Sequence, residues 1–250
     1  MRFDIVTLFP EMVGTAAGFG VIGKAIENGI VRLGLWNPRD YSSDPRRTVD
    51  DRPYGGGPGM VMMVQPLRDA INDAKAADDR PVRVACLSPQ GTRLQQSDLI
   101  RFSTRERVIL VAGRYEGIDE RLIEADIDEQ WSLGDYVISG GELAALVFLD
   151  GVARLLPGVL GDDQSSQQDS FMHGLLDHPH YTRPDVVEEQ VVPEVLRNGN
   201  HAEIRRWRLK QALGRTFLHR PDLLDGLELN DEQNDLLNEF IDEVKIMKGN

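Results

Sequence analysis

A single cysteine, Cys86, stands among the 250 residues, so no internal disulfide is possible and a cysteine-based zinc site is excluded. Aromatic residues are few, at 6%, yet apolar residues together reach 41%, enough for a full globular core. Long hydrophobic runs are missing too. The apolar stretch 143–149 is closed by Asp150, well short of the ~18 residues that span a bilayer, so no membrane association is expected. The opening Met1-Arg-Phe-Asp-Ile-Val lacks the charged-then-apolar layout of a signal peptide, and the expectation is a cytoplasmic protein. Positive charge is also scarce: 28 Lys and Arg face 41 Asp and Glu, a net charge of −13. An acidic surface repels polyanions, which at first counts against a nucleic-acid partner.

The charge is unevenly spread. Residues 201–220 carry Arg205, Arg206, Arg208, Lys210, Arg215 and Arg220 against the lone acid Glu203, and the chain beyond is strongly acidic. A local basic face of this kind can bind phosphate on an otherwise acidic protein. The competing reading is a solvated helix laced with salt bridges.

Apolar runs at 3–9, 31–36, 82–87 and 108–112 predict short buried parallel strands. Helical patterns lie between them at 21–27, 66–77 and 117–127, the last with Ile118, Leu122 and Ile123 on one face. Alternation of this kind predicts an α/β fold, a mostly parallel sheet covered by helices. Ligands of such sheets sit beyond the carboxyl ends of the strands, where turns are expected at 88–91 and 113–117. After Pro157 the pattern breaks, and 161–170 has almost no apolar content. The expected organisation is a first domain over 1–160, a flexible linker over 161–174 and a helical domain over 175–250. In the last, Asn230 with Gln233 resembles a capping box ahead of an apolar stripe through Leu236, Phe240 and Val244.

Two segments concentrate unusual chemistry: Gly113-Arg-Tyr-Glu-Gly-Ile-Asp-Glu-Arg121 and Trp131-Ser-Leu-Gly-Asp-Tyr-Val-Ile-Ser-Gly-Gly-Glu142. Gly134, Gly140 and Gly141 let a flat ring lie against the main chain, and Leu133, Tyr136, Val137 and Ile138 supply apolar walls. Taken alone, the second segment could equally be a tight strand-turn-helix corner. Tyr54-Gly-Gly-Gly-Pro-Gly59 is neither a Walker A loop nor a dinucleotide fingerprint and reads as a mobile loop, a candidate lid over a charged substrate. His173, His178 and His180 with Asp177 lack helical ligand spacing and read as an ordinary loop. Cys86 falls within an expected buried strand, and no nucleophile elbow is present, so covalent catalysis is not expected.

Taken together, these segments resemble the bacterial tRNA (guanine-N1)-methyltransferases, the TrmD family of the SPOUT superfamily. The resemblance runs over essentially the whole chain. It rests on Leu8-Phe-Pro-Glu-Met12, residues 50–60 and 87–91, the two segments above, Pro157-Gly-Val-Leu-Gly161, His180-Tyr-Thr-Arg-Pro184 and residues 199–210. Departures are small: Ala144 replaces a common proline, and Cys86 a common aromatic or aliphatic residue. The resemblance implies a deep trefoil knot in the α/β domain, a small helical domain behind it, and a homodimer whose sites draw on both subunits. It implies S-adenosylmethionine bent within loops that include Leu87, Ser88, Pro89 and Gln90. Gly113, Tyr115 and Glu116, with Trp131, Leu133 and Gly134, would form a second part of that site. Asp135, Tyr136, Val137 and Ile138, then Gly140 and Gly141, would complete it.

The implied reaction methylates N1 of the guanine beside the anticodon of tRNA. N1 bears a proton at neutral pH, so a base is needed there, together with a positive group at O6. The resemblance gives the base role to Asp169 and the O6 role to Arg154, with Glu116 beside them. It also implies magnesium, for which Glu116, Asp169 and Asp177 are the candidate carboxylates. Asp50, Arg205, Arg206, Arg208, Lys210 and Arg215 are the candidate tRNA contacts. Two other functions stay open at this point: an RNA-binding protein without catalysis, and a ribose 2′-O-methyltransferase sharing the cofactor pocket.

Overall fold

The computed structural model describes residues 1–161 and 168–248. The chain divides into two compact units, Met1–Asp163 and Gln164–Asn250.

The first unit opens with β1 (Arg2–Val6), α1 (Pro10–Ala17), α2 (Gly20–Glu27) and β2 (Arg32–Trp36). Two short strands, β3 (Asp50–Asp51) and β4 (Val61–Met62), precede α3 (Val64–Ala76). There follow β5 (Val84–Arg93), α4 (Gln96–Ser103), β6 (Arg107–Ala112), α5 (Glu120–Asp126), β7 (Glu129–Ser132) and α6 (Glu142–Ala153). The main sheet is five-stranded, ordered β2-β1-β6-β5-β7, and every neighbouring pair is parallel. The expected α/β class with a parallel sheet is therefore what the chain forms.

Strand periodicity explains the two cores. In the fully buried β6, Val108 and Leu110 face one side with Phe3, Ile5, Phe102 and Phe148, while Ile109 and Val111 face the other with Leu67, Ile71 and Leu122. Each fully buried large side chain contributes about 1.5–3 kcal/mol against exposure. The ring of Phe102 meets Phe148 at 4.6 Å and Trp131 at 5.5 Å, both edge-on.

Charge is also buried in this unit. Asp4 accepts from Arg107 Nε at 3.2 Å and from Arg2 Nε at 2.8 Å, and Arg107 also donates to the carbonyls of Ala74, Lys75 and Asp78. These groups cluster at the amino ends of β1 and β6 and tie down the end of α3. Every partner is satisfied, which is the condition for keeping an ion pair out of water.

Two sequence expectations need correction here. Residues 88–91 are not a turn beyond β5 but lie within it, bulged so that both Leu87 and Thr92 align with Trp131. The helix expected over 117–127 is shorter, because Ile118 bridges Met62 and the Gly117 carbonyl accepts from Met62 N at 2.9 Å. Those backbone groups are spent on β4 and cannot begin the helix until the cap at Asp119, whose side chain accepts from Arg121 N.

The second unit is less helical than expected. A small antiparallel hairpin, β8 (Val186–Val187) with β9 (Gln190–Val191), lies ahead of α7 (His201–His219) and α8 (Asp231–Lys248). Pro179, Pro184 and Pro193 interrupt the stretch before α7, and each removes a helical donor. Of the expected linker, 162–167 lie outside the described residues. The rest closes on itself, with Phe171 N donating to Leu175 O at 2.7 Å and Gly174 N to Phe171 O at 3.3 Å. Asn200 caps α7, and Asn230 with Gln233 forms the expected reciprocal cap of α8, each bond 2.9 Å. Gly214 of α7 packs against Phe240 of α8, and Leu213 and Leu236 are fully buried.

Candidate functional site

The carboxyl ends of β6 and β7 and the bulge within β5 converge on a cavity of about 400 Å3, a size that suits a small organic ligand. Each strand brings a different wall. From β5 comes the bulge 88–91, where Gln90 N donates to Ser88 Oγ at 3.2 Å. A side chain at Gly91 would run into the backbone of Gln130 and Trp131, so the bulge packs this closely only with glycine. Beyond β6 the chain turns through Tyr115 at φ 60, an unusual conformation for a residue with a side chain. Glu116 N then donates to Met60 O at 2.9 Å, which anchors the base of the glycine-rich loop 54–59 to the cavity wall. From β7, Gly134 N donates to Ser132 Oγ at 3.2 Å, and the chain returns so that Gly141 N reaches Gly113 O at 2.8 Å.

The cavity is mixed in character. Leu87, Leu133, Val137 and Ile138 offer apolar surface, and Glu116 and Glu120 bring carboxylates suited to a cationic ligand. Desolvation raises the Tyr115 hydroxyl above its ordinary pKa, and a hydrogen bond to the Asp50 carboxylate adds to the shift. Arg39 Nη2 approaches the same hydroxyl at 3.4 Å. Burial pushes the Cys86 thiol up to about 12, so it stays protonated and non-nucleophilic at neutral pH.

All the residues proposed from sequence for the cofactor line this cavity except Asp135, whose side chain is exposed and outside the wall. Among the others, Glu116 lies in the wall, Asp50 sits against Tyr115, and Arg154 follows α6, its N–H donating to Asp150 O at 3.1 Å. Asp169 belongs to the second unit, where its carbonyl accepts from Met172 N at 3.3 Å.

Asp177 is also in the second unit. With His178 and His180 it forms the one group of three potential metal ligands found among the described residues. Its carboxylate meets His180 Nε2 at 2.8 Å, and its N–H donates to Ser170 Oγ at 2.9 Å.

The basic run is partly spoken for. Arg206 pairs with Glu239 at 2.5 Å and Lys210 with Glu243 at 2.7 Å, and Arg205 approaches Glu232 at 3.9 Å. These bridges join α7 to α8, as the salt-bridged-helix reading requires. Arg208 and Arg215 are exposed and have no acidic partner among the described residues.

Sequence reasoning missed a buried polar group at the cavity edge. Glu142 is wholly buried, accepting from Arg114 Nε at 2.9 Å and from Thr7 Oγ1 at 3.0 Å. Both Arg114 and Glu142 lie inside the glycine-rich segments 113–121 and 131–142, but nothing in their spacing pairs them. Thr7, at the end of β1, carried no local signal at all.

Comparison with known proteins places the chain in a family. Residues 1–226 match the family described as tRNA (Guanine-1)-methyltransferase TrmD. A tRNA (guanine-N(1)-)-methyltransferase of Methylococcus capsulatus is 63% identical over 249 residues, covering 100% of this chain and 99% of the relative. Proteins of the same name from Halorhodospira halophila and Shewanella sediminis are 62% and 59% identical, each over 97% of this chain and over 92% and 100% of their own lengths. By a match that spans nearly the whole sequence and by full-length relatives of this identity, the chain belongs to the tRNA (guanine-1)-methyltransferase family of enzymes.

Proposed function

We propose that this protein methylates N1 of guanine in tRNA, at the guanosine that follows the anticodon, using S-adenosylmethionine as donor. The observation that carries the reading is the glycine-lined cavity between the β5 bulge and the ends of β6 and β7 in a chain of this family. The cavity fits the donor chemically: its closely packed backbone suits a flat adenine, and Glu116 and Glu120 suit a positive charge. When bound, S-adenosylmethionine supplies an electrophilic methyl on a sulfonium. Asp169 takes the N1 proton and Arg154 holds O6 as negative charge moves there, with Glu116 the third catalytic residue. The new N–C bond replaces the S–C bond, leaving neutral S-adenosylhomocysteine and a protonated Asp169. Two further parts of this proposal, supported by family membership, are the deep trefoil knot in the donor-binding loops and the role of the helical unit in holding tRNA.

The test uses labelled S-adenosylmethionine with transcripts carrying guanine or adenine after the anticodon. Label should enter only the guanine transcript and be recovered as 1-methylguanosine. Recovery in ribose would instead favour 2′-O-methylation, and tRNA binding without transfer would favour a purely RNA-binding protein.

Arg208 and Arg215 are the phosphate contacts best supported in the second unit, since both are exposed and neither is held by an acid among the described residues. Replacing either with alanine should weaken tRNA binding and lower the slope of log K against log salt by about one. Arg206→Ala should leave that slope nearly unchanged, because its guanidinium is already paired with Glu239. An equal loss of slope at Arg206 would overturn this division.

Self-association is supported by the outer face of the first unit. Phe9 and Met12 at α1 and Leu143 and Val147 on α6 are all exposed, at 45%, 40%, 51% and 53%. The two helices adjoin, so these side chains suit a second copy of the chain better than water.

Magnesium fits the residues less well. The ligand group around Asp177 contains two imidazoles, a donor set that suits transition metals better than Mg2+. No step of the mechanism is assigned to it.

A further inference from the structure

The buried carboxylate of Glu142 does not line the donor cavity, yet it controls a group that does. Its Oε2 holds Arg114 Nε at 2.9 Å, and its Oε1 accepts from Thr7 Oγ1 at 3.0 Å. Thr7 Oγ1 in turn accepts from Phe9 N at 3.0 Å. The carboxylate is thus anchored to the end of β1, in the rigid part of the sheet. Arg114 extends from it to the cavity edge, where its Nη1 donates to Ser139 O at 3.3 Å. Its backbone also forms an isolated bridge with Gly140. The guanidinium stacks on one face against Phe9, whose ring centroid is 4.4 Å away.

One charge therefore connects three segments: the end of β1, the turn after β6, and the loop 133–141 that walls the cavity. Loops at a ligand site have few apolar contacts to hold them, and here residues 135–139 are exposed. Arg114 fixes this loop at the Ser139 carbonyl and through its bridge to Gly140. A ligand seated against this loop binds in proportion to how fully the loop holds its binding form, so the strength of this tether enters directly into affinity.

We propose that Glu142, acting through Arg114, is a positioning residue that holds the 133–141 loop in the form that binds the methyl donor. This rests on the reading of the cavity as the S-adenosylmethionine site. Glu142→Gln keeps the shape and one acceptor but removes the anion that fixes Arg114. Arg114→Ala removes the same link from its more accessible end, so the test does not depend on one variant folding.

Wild type and both variants are compared by calorimetry with S-adenosylhomocysteine and by steady-state transfer to tRNA. Wild-type protein must bind the probe; if it does not, the cavity reading falls first. Given wild-type binding, each variant should raise Kd for S-adenosylhomocysteine and KM for S-adenosylmethionine about tenfold, with kcat at saturating donor and tRNA affinity within about twofold. The double variant should be no worse than Arg114→Ala alone, because a single link is lost in each. A purely structural role would lower the melting temperature and the active fraction while leaving KM for the donor unchanged, and that result would overturn the proposal. A fall in kcat at unchanged KM would overturn it as well.

Discussion

Asp169→Ala should slow methyl transfer in single turnovers by about 10^2- to 10^4-fold, while donor affinity stays within about twofold of wild type. The reasoning starts with the nucleophile. Guanine N1 carries its proton at neutral pH, and attack on the methyl group leaves that proton to be removed as the bond forms. A carboxylate within hydrogen-bond reach of N1 supplies the base; alanine cannot. Asp169→Asn is the sharper variant, because it keeps the size and one hydrogen-bond acceptor but not the ability to take a proton. It should be as inactive as the alanine variant. Donor affinity should survive because Asp169 belongs to the second unit and the cavity wall is built from the first. Rapid-quench transfer of labelled methyl measures the rate, and calorimetry with S-adenosylhomocysteine measures the affinity. Turnover within tenfold of wild type in either variant would remove Asp169 from the base role. Loss of donor binding alongside turnover would make it a binding residue instead.

The sheet was readable because its strands are buried on both faces. The run Arg107–Ala112 is apolar almost throughout, the composition of a parallel strand covered by helices on either side. The cavity was readable for a related reason: glycines, aromatics and acids crowd into segments too short to form a core of their own. What escaped was long-range pairing. The bulge at 88–91 depends on β7 lying alongside β5, and Glu129–Ser132 is too short and too polar to announce itself as a strand. The short α5 escaped similarly, since Ile118 keeps helical spacing but spends its backbone on Met62. Arg206 and Lys210 looked like part of a phosphate-binding face because their partners, Glu239 and Glu243, lie 33 residues on, across the helix pair. Periodicity reports which face of an element is buried; it does not report which charge waits on the neighbouring element.

Gly141→Ala should weaken donor binding about ten- to 100-fold through a single added methyl group. Gly141 caps α6 at φ −76 and ψ −4, a conformation alanine accepts, so the penalty is not one of backbone preference. It is one of space. A Cβ there would lie 2.7 Å from Ala112 Cα and 3.0 Å from Gly113 N, both main-chain atoms. Ala112 ends the fully buried β6, hydrogen-bonded into the sheet beside β5, and has no room to retreat. The start of α6 must move instead, and Gly141 N then loses Gly113 O, now 2.8 Å away. Forcing an extra carbon into a packed site costs about 1–3 kcal/mol, and 1.4 kcal/mol is about a factor of ten in affinity. The strain falls where Gly113, Gly140 and Gly141 together line the cavity, and it carries Glu142 away from Arg114. Gly226→Ala is the matched control, since a Cβ there meets nothing within 4 Å and the site lies in the second unit. Calorimetry with S-adenosylhomocysteine should separate the two variants clearly. Wild-type affinity in Gly141→Ala would mean that the first turn of α6 is free to shift, and that the close contact between Gly113 and Gly141 is not what shapes the donor site.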